Sequence, residues 1–235
     1  MLTRTATHGD SSRHPIMPRH ARPIDRPDAT AGSDPIEHAM HLMGAMMSYP
    51  RNAEIFGEDE PADYIYKVTG GTVRTYKILS DGRRQIGGFY LPGDIFGLET
   101  ADAHTLSAEA MTDAKILVVK KSALSTLAGH DAAVAQKLFA LTARELRRVQ
   151  DRILLLIKSA QERVASFLLE MAERAPAGNS IDLPMSRQDI ADYLGLTIET
   201  VSRTLTSLES CAAIEVPTSR RIVLRNRSAL NRLHG

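Results

Sequence analysis

The sequence has almost no cysteine, and this limits the covalent and metal chemistry open to it. Cys211 is the single cysteine among 235 residues. One thiol cannot close a disulfide within the chain, and it cannot by itself hold a zinc ion or an iron–sulfur cluster. We therefore expect neither a metal site nor another cofactor.

Long apolar segments are also missing. No part of the chain approaches the ~18 consecutive apolar residues of a membrane helix. Hydrophobic residues make up 43% of the chain, which suits an ordinary packed core. The basic N-terminus is followed by no apolar stretch of the kind that forms a secretory signal. We expect a cytoplasmic protein with no membrane partner.

Neither sign of charge dominates the chain as a whole, because the formal net charge is +1. The balance nevertheless changes along it. Residues 37–139 hold ten Lys or Arg against thirteen Asp or Glu, whereas residues 140–235 hold fourteen against eleven. A mildly acidic front and a mildly basic back suit a sensor or scaffold joined to a nucleic-acid-binding end.

The first 35 residues contain five prolines, scattered Arg and His, and few large apolar side chains. Such a segment buries too little surface to offset its chain entropy, so we predict a disordered tail over residues 1–35. Apolar side chains from Ile36 to Met47 then recur at helical spacing, which predicts a short helix over residues 36–48.

Short strands separated by Gly and Pro turns fill the region from Asp63 to Val119. The predicted strands are residues 64–68, 72–78, 85–91, 95–97, 106–110 and 115–120. Their close spacing predicts a small antiparallel β-roll or barrel. An enzyme of the cupin oxygenase kind would need clustered His and carboxylate ligands, but His104 is the only histidine in this region.

A long helix with one apolar stripe follows the strands. The stripe advances in alternating steps of four and three residues through Ala135, Phe139, Thr142, Leu146, Val149, Ile153 and Leu156. It extends over about 30 Å of helix at 1.5 Å per residue. The stripe needs a partner, which is the roll, a second copy of the helix, or both. We favour a homodimer whose seam is formed by Phe139, Leu146, Val149, Ile153 and Leu156.

Two short helices joined by a tight turn follow after residue 185. Ser186 is a natural N-cap, and Asp189 stands where a box-like cap needs it. Gly195 suits the turn, where a positive φ costs a glycine nothing, and Thr197 caps the second helix. This spacing predicts a helix-turn-helix, whose second helix enters the major groove of DNA.

The second helix has one apolar face and one polar face. Glu199, Ser202 and Arg203 share the polar face at helical spacing. An Arg fork can bind guanine O6 and N7, and a carboxylate can accept from cytosine N4. A helical hairpin with polar residues facing water is the simpler alternative, and the segment that follows argues against it.

Two short apolar strands, residues 214–216 and 222–224, flank a basic tip. This pattern predicts a β-hairpin that forms the wing of a winged helix. Phosphate contacts position a protein without reading sequence. We predict them from Thr197, Thr200, Thr206, Arg220 and Arg221.

This order of elements over residues ~36–230 resembles the CRP/FNR superfamily of transcription regulators. Residues 91–97, Leu-Pro-Gly-Asp-Ile-Phe-Gly, look like the family's roll signature, and residues 195–203 are similar to the recognition segment of the FNR branch. The resemblance implies an α+β fold with an N-terminal jelly-roll-like β-roll, a long dimerisation helix and a C-terminal winged helix-turn-helix. It implies base reading by Glu199, Ser202 and Arg203. It also implies a palindrome of TTGAT-type half-sites and an activator that contacts RNA polymerase.

Departures from the family's pattern narrow the placement. The chain lacks the cysteine cluster that holds an iron–sulfur centre in the FNR branch. The family's cyclic nucleotide site needs a Gly-Glu pair, but here Leu98 separates Gly97 from Glu99, and no Arg-Ser pair follows. We therefore expect no cyclic nucleotide to bind. What remains resembles the FixK-type group, which serves low-oxygen and nitrogen-fixation gene circuits.

These observations predict four segments. They are a tail over residues 1–35, a roll over 36–130, a dimerisation helix over 131–159 and a winged helix-turn-helix over 160–235. A ligand-sensing module without DNA function is an alternative that the winged-helix segment argues against. A ligand-responsive regulator of the cyclic-nucleotide type and a repressor of the same superfamily are the alternatives to this function. Repression remains open because the position of the operator decides between it and activation.

Cys211 follows the recognition helix, and helical phase predicts a half-buried thiol. It is either a small apolar filler or a redox switch. Oxidation to a sulfinic or sulfonic acid would place negative charge near DNA phosphates and weaken binding.

Overall fold

The computed structural model describes residues 22–23, 34–99, 101–155, 157–174 and 178–234. Its elements in chain order are β1 (Arg22–Pro23), α1 (Pro35–Met43), β2 (Ala45–Tyr49), β3 (Glu54–Phe56), β4 (Tyr64–Gly70), β5 (Val73–Ile78), β6 (Arg84–Tyr90), β7 (Ile95–Phe96), β8 (Ser107–Ala110), β9 (Ala114–Lys120), α2 (Lys121–Ala128), α3 (Ala132–Leu155), α4 (Ala160–Arg174), β10 (Ser180–Asp182), α5 (Arg187–Leu194), α6 (Ile198–Ser210), β11 (Ile214–Thr218), β12 (Arg221–Leu224) and α7 (Arg227–His234).

The first nine strands form an antiparallel β-roll of two sheets. One sheet has the order β1-β2-β9-β4-β7 and the other the order β3-β8-β5-β6. Alternate side chains of both sheets point into a shared core, which includes Tyr49, Phe56, Val68, Val73, Phe96 and Ile116. The predicted α+β fold with an N-terminal antiparallel roll is confirmed.

The predicted helix over residues 36–48 is wrong in its second half. α1 ends at Met43, and Gly44 is extended; a Cβ at this position would lie 2.6 Å from the carbonyl oxygen of Met40. The next five residues form β2, because Met47 and Tyr49 alternate into the roll core and the strand pairs with β9. The prediction also missed β3.

The predicted tail over residues 1–35 differs from the structure at two points. Arg22 pairs with Ser48 and Pro23 pairs with Met47, so β1 forms the edge of the five-stranded sheet. α1 also begins within the predicted tail, at Pro35, with Asp34 as its N-cap. The other tail residues lie outside the described part of the chain.

The long helix α3 has one face packed against the rest of the chain and one face open to solvent. Val134 is buried, and Leu138 and Leu141 pack against the core beneath α1 and α2. A second face, which carries Phe139 and Ile153, is open to solvent. None of the helices in the described ranges has both the length and the apolar character that crossing a membrane requires.

The C-terminal part is built on α4, whose apolar face packs against α6 and α7. β10, β12 and β11 form a small antiparallel sheet beside these helices. The core of the C-terminal part is continuous with the roll, since Ile86, Phe89 and Met111 lie in the same apolar cluster as Phe167 and Leu168. The roll and the C-terminal part therefore pack as neighbours with a shared interior.

Candidate nucleic-acid interface

The helix-turn-helix is fixed by its local capping. The Oγ of Ser186 accepts from the backbone N–H of Asp189, and the Asp189 carboxylate accepts from the backbone N–H of Ser186. This reciprocal box satisfies two amides at the start of α5. Gly195 ends α5 with φ +64° and ψ +40°, as the sequence predicts for the tight turn. Thr197 then caps α6 by accepting from the backbone N–H of Thr200 at 3.2 Å.

The recognition helix α6 separates an apolar face from a polar one. Val201, Leu205 and Leu208 are buried and anchor the helix to the domain. Glu199 and Arg203 are exposed one turn apart, and Ser202 is half-buried beside them. The structure therefore brings the three predicted base-reading side chains onto one outward face.

Both charged side chains of this face interact with neighbouring groups of the same helix. Hydrogen bonds from its own backbone N–H and from the Thr197 side chain lower the pKa of Glu199, and Arg203 adds a smaller attraction. The carboxylate is therefore ionised near neutral pH and acts purely as an acceptor. Arg203 makes one long contact, 3.5 Å from Nη2 to the hydroxyl of Thr200. Most of its guanidinium donors remain available to a ligand.

The predicted phosphate-binding hydroxyls lie on the same helix but already have partners. The Oγ1 of Thr197 serves as the N-cap and lies 3.1 Å from the Oγ1 of Thr200. Thr206 donates its hydroxyl to the Ser202 carbonyl at 3.1 Å. A hydroxyl carries one proton, so Thr206 must leave this bond to donate to a phosphate.

The predicted wing is present as β11 and β12. Arg220 and Arg221 are exposed at its tip. Arg220 donates to the Pro184 carbonyl at 2.7 Å, and Arg221 donates to the Ser180 hydroxyl at 2.9 Å. These bonds direct both guanidiniums toward residues 180–184, where Nε of Arg221 also lies 3.9 Å from Oδ1 of Asp182, and about half of the Arg221 side chain remains exposed. The prediction missed β10, although Ile181 and Leu183 show the alternation of a half-buried strand.

The half-buried thiol predicted for Cys211 is wrong. The residue is exposed, because α6 ends at Ser210 and Cys211 is its C-cap. Its thiol donates to the carbonyl of Leu208 at 3.3 Å. Exposure removes the alternative that Cys211 fills the apolar core.

The predicted dimer seam lies on the open face of α3. The exposed fractions are 76% for Phe139, 59% for Leu146, 54% for Val149 and 60% for Ile153. The fifth predicted residue, Leu156, lies outside the described residues. Four large apolar side chains on one stripe of a helix leave a surface that a partner would cover.

A cavity of about 690 Å³ lies between β6 of the roll, α3 and α4. Three arginines line it, and each is engaged by its own chain. Arg148 and Arg174 pair with Asp94, while Arg152 donates to the carbonyl of Ile86 at 2.7 Å. Asp94 therefore neutralises part of the positive charge of this cavity.

The two departures from the family's cyclic nucleotide pattern can be placed. Leu106 lines the cavity and belongs to the segment in which no Arg-Ser pair follows Glu99. Glu99, which Leu98 separates from Gly97, has its Oε1 3.5 Å from Nδ1 of His104. His104 itself is buried, with its ring stacked on Phe56 at 3.6 Å between centroids, so it packs as a core residue.

A β-roll, a long helix with an open apolar stripe and a capped winged helix-turn-helix define a DNA-binding regulator. Two family profiles match the chain. The one described as a Crp-like helix-turn-helix domain matches residues 162–233, and the one described as a cyclic nucleotide-binding domain matches residues 46–131.

Individual relatives agree with the profiles. The chain is 52% identical over 197 residues to the nitrogen fixation regulation protein FixK of Azorhizobium caulinodans, covering 81% of this chain and 79% of that protein. It is 39% identical to FixK of Rhizobium meliloti, covering 82% and 92%. The solved structure of FixK2 from Bradyrhizobium japonicum superposes with a TM-score of 0.79 at 54% identity, covering 83% of this chain and 98% of that one. The chain belongs to the CRP/FNR family, as a FixK-type transcription regulator, and its relatives are regulators rather than enzymes.

Proposed function

We propose that this regulator binds a TTGAT-type palindromic operator as a homodimer and activates transcription by contacting RNA polymerase. By analogy with the FixK relatives, it would act in the cytoplasm and control genes of nitrogen fixation or low-oxygen growth. The observation that carries the proposal is the outward face of α6, where Glu199, Ser202 and Arg203 project together.

The chemistry of that face supports base reading. The Arg203 guanidinium has a fork of donors that matches guanine O6 and N7, and the ionised Glu199 carboxylate can accept from the cytosine amino group. Both lie in the first two turns of α6. The N-terminal part of a recognition helix is the part that reaches base edges.

Dimerisation supplies the symmetry of the operator. The open stripe of α3 suits a second copy of itself, because a two-fold axis places the same apolar residues on both sides of an interface. Two recognition helices one DNA turn apart, about 34–36 Å, would then read two half-sites of a palindrome.

Cyclic nucleotide control forms no part of the proposal. The sequence lacks the family's Gly-Glu and Arg-Ser pairs, and two arginines of the cavity, Arg148 and Arg174, pair with Asp94. Repression in place of activation would require no change in these contacts, since it depends on where the operator lies.

Loss of the Arg221 side chain should weaken binding to every DNA sequence alike. The guanidinium is about half exposed at the wing tip and offers phosphate contacts. We expect Arg221→Ala to lower the slope of log K against log salt by about 0.9, the value of one phosphate contact. Anisotropy titrations of the full chain at several salt concentrations measure this slope, on the operator and on a shuffled duplex.

Arg83→Ala is the matched control, because Arg83 pairs with Asp81 on an exposed turn of the roll. That variant should keep the wild-type slope. The same titrations test the function itself, since wild type should bind the operator about 10³-fold more tightly than the shuffled duplex, or better. Equal affinity for the two duplexes would contradict sequence-specific binding.

Oxidation of Cys211 should weaken operator binding only modestly. A sulfinic or sulfonic acid would add negative charge about 12 Å along the helix axis from Arg203. Salt screens charges at that separation, so we expect a loss of about threefold or less. Peroxide-treated and untreated proteins are compared for wild type and for Cys211→Ala. If both lose affinity equally, the thiol is not the responsive group.

A further inference from the structure

The carboxylate of Asp189 joins the first helix of the helix-turn-helix to the roll. Arg74 of β5 and Arg84 of β6 each place a guanidinium nitrogen 2.7 Å from Oδ1 of Asp189. The other oxygen, Oδ2, accepts from the backbone N–H and the hydroxyl of Ser186. The carboxylate that caps α5 is thus also the point where the roll holds α5.

Further polar contacts extend this attachment along α5. Arg84 also pairs with Asp192 at 2.7 Å, one turn beyond Asp189. Gln85 donates from its side chain to the carbonyl of Asp192 at 2.7 Å. Three donors on the roll therefore contact two successive turns of the helix, which fixes its direction as well as its position.

The attachment is largely removed from water. Asp189 is 5% exposed, and the Arg74 side chain also pairs with Glu109 at 2.8 Å. Burial raises the pKa of Asp189, but hydrogen bonds from Ser186 and the charges of Arg74 and Arg84 outweigh burial and lower it. The ionised carboxylate requires its partners, because a buried charge without a partner is costly.

Buried ion pairs add little net stability, since the cost of desolvation offsets their attraction. They do penalise any arrangement that leaves one partner alone. Apolar contact beside them holds the surfaces together without such directionality, as where Phe89 lies 5.0 Å from the ring of Tyr193. The ion pairs therefore set orientation, while the apolar contact supplies adhesion.

We propose that Arg74 and Arg84 are positioning residues for DNA recognition, which hold the recognition helix at a fixed angle to the dimerisation helix. This rests on the proposed function. α5 packs on both β6 and α6, and α3 packs on the roll, so the direction of α5 on the roll sets the angle between α6 and α3. Across a dimer, that angle determines which half-site spacing both recognition helices can reach.

Half-site spacing is the property that tests the proposal. One inserted base pair moves the second half-site by about 3.4 Å and turns it by about 35°. We expect wild type to lose about 30-fold in affinity or more on this insertion, as for a poorly matched site. Arg84→Gln should lose less than about fivefold, because a loosened α5 lets the recognition helix follow the displaced half-site.

The experiment uses the full chain, with anisotropy titrations on operators of native spacing and of one base pair more or less. Arg83→Gln is the control, because this neighbouring arginine pairs with Asp81 and not with the helix-turn-helix. The Arg83→Gln variant should lose affinity on the changed spacings as wild type does. Gln85→Ala is a second test variant that removes only neutral hydrogen bonds, and it should relax the spacing preference less.

The outcomes separate the two proposals. If wild type itself shows no preference for palindromic operators of one spacing, the proposed function fails. If wild type shows it and Arg84→Gln keeps it, the positioning role is overturned, whatever Gln85→Ala does. A fall in the salt slope of about one for Arg84→Gln, with unchanged spacing preference, would identify a direct phosphate contact and would also overturn it.

Discussion

Ile153→Asp should convert the protein to a monomer and lower its affinity for the palindromic operator about 100-fold or more. Ile153 is 60% exposed near the C-terminal end of the apolar stripe on α3. A two-fold axis would bring two copies of the new carboxylate into one apolar interface, and burying charge without a partner is expensive. The operator loses affinity because one half-site must then be bound without the other.

Analytical ultracentrifugation and operator titration measure the two effects on the same sample. Ala140→Asp is the control, because it adds the same carboxylate to an exposed position of α3 off the stripe. It should remain dimeric and bind as wild type does. A stable dimer of Ile153→Asp would show that this stripe is not the dimer interface.

Removal of the Arg203 guanidinium should cost about 1–3 kcal/mol on the operator and relax base preference at one position of each half-site. This corresponds to about 5- to 150-fold in affinity. Within the described residues Arg203 makes a single long hydrogen bond, so its loss from Arg203→Ala should leave the helix intact. Titration against operators changed one base pair at a time reveals which position loses its preference.

Arg203→Lys separates charge from geometry. A lysine keeps the positive charge but lacks the planar fork that contacts guanine at two points. It should therefore retain affinity for mismatched duplexes and lose the preference at the same position. If Arg203→Ala weakens binding to all duplexes equally, Arg203 contacts the phosphate backbone and not a base. Glu199→Ala should relax a different position, where a cytosine amino group is read.

The helix-turn-helix could be predicted from sequence because its signals are local. Ser186, Asp189, Gly195 and Thr197 fix the two helices and the turn within twelve residues, and each takes the cap or turn position expected of it. The polar face of α6 followed from helical spacing alone. Rules that act within one helical turn depend little on the rest of the fold.

The residue at which a helix gives way to a strand was harder to predict. Ile36 to Met47 fit a helix by spacing, yet the chain changes to strand at Gly44 because β9 offers a pairing partner. Nothing within this segment signals that partner. The exposure of Cys211 was missed for a related reason, since helical phase applies only while the helix continues.

The contact between Asp189 and the roll lay beyond sequence reasoning. Arg74 is 115 residues from Asp189, and each residue alone has an ordinary local explanation. Arg74 fits an outward strand position, and Asp189 fits a cap. Only the packing of α5 against β6 shows that one carboxylate performs both tasks.

Selection of bound duplexes from a random DNA pool is the most direct measurement of the central claim, that the polar face of α6 reads an operator. The full-length protein should enrich a two-fold symmetric site with TTGAT-type half-sites, and Glu199→Ala should enrich the same site with one position of each half-site degenerate. Enrichment of no common sequence by the wild-type protein, or of the identical site by Glu199→Ala, would contradict it.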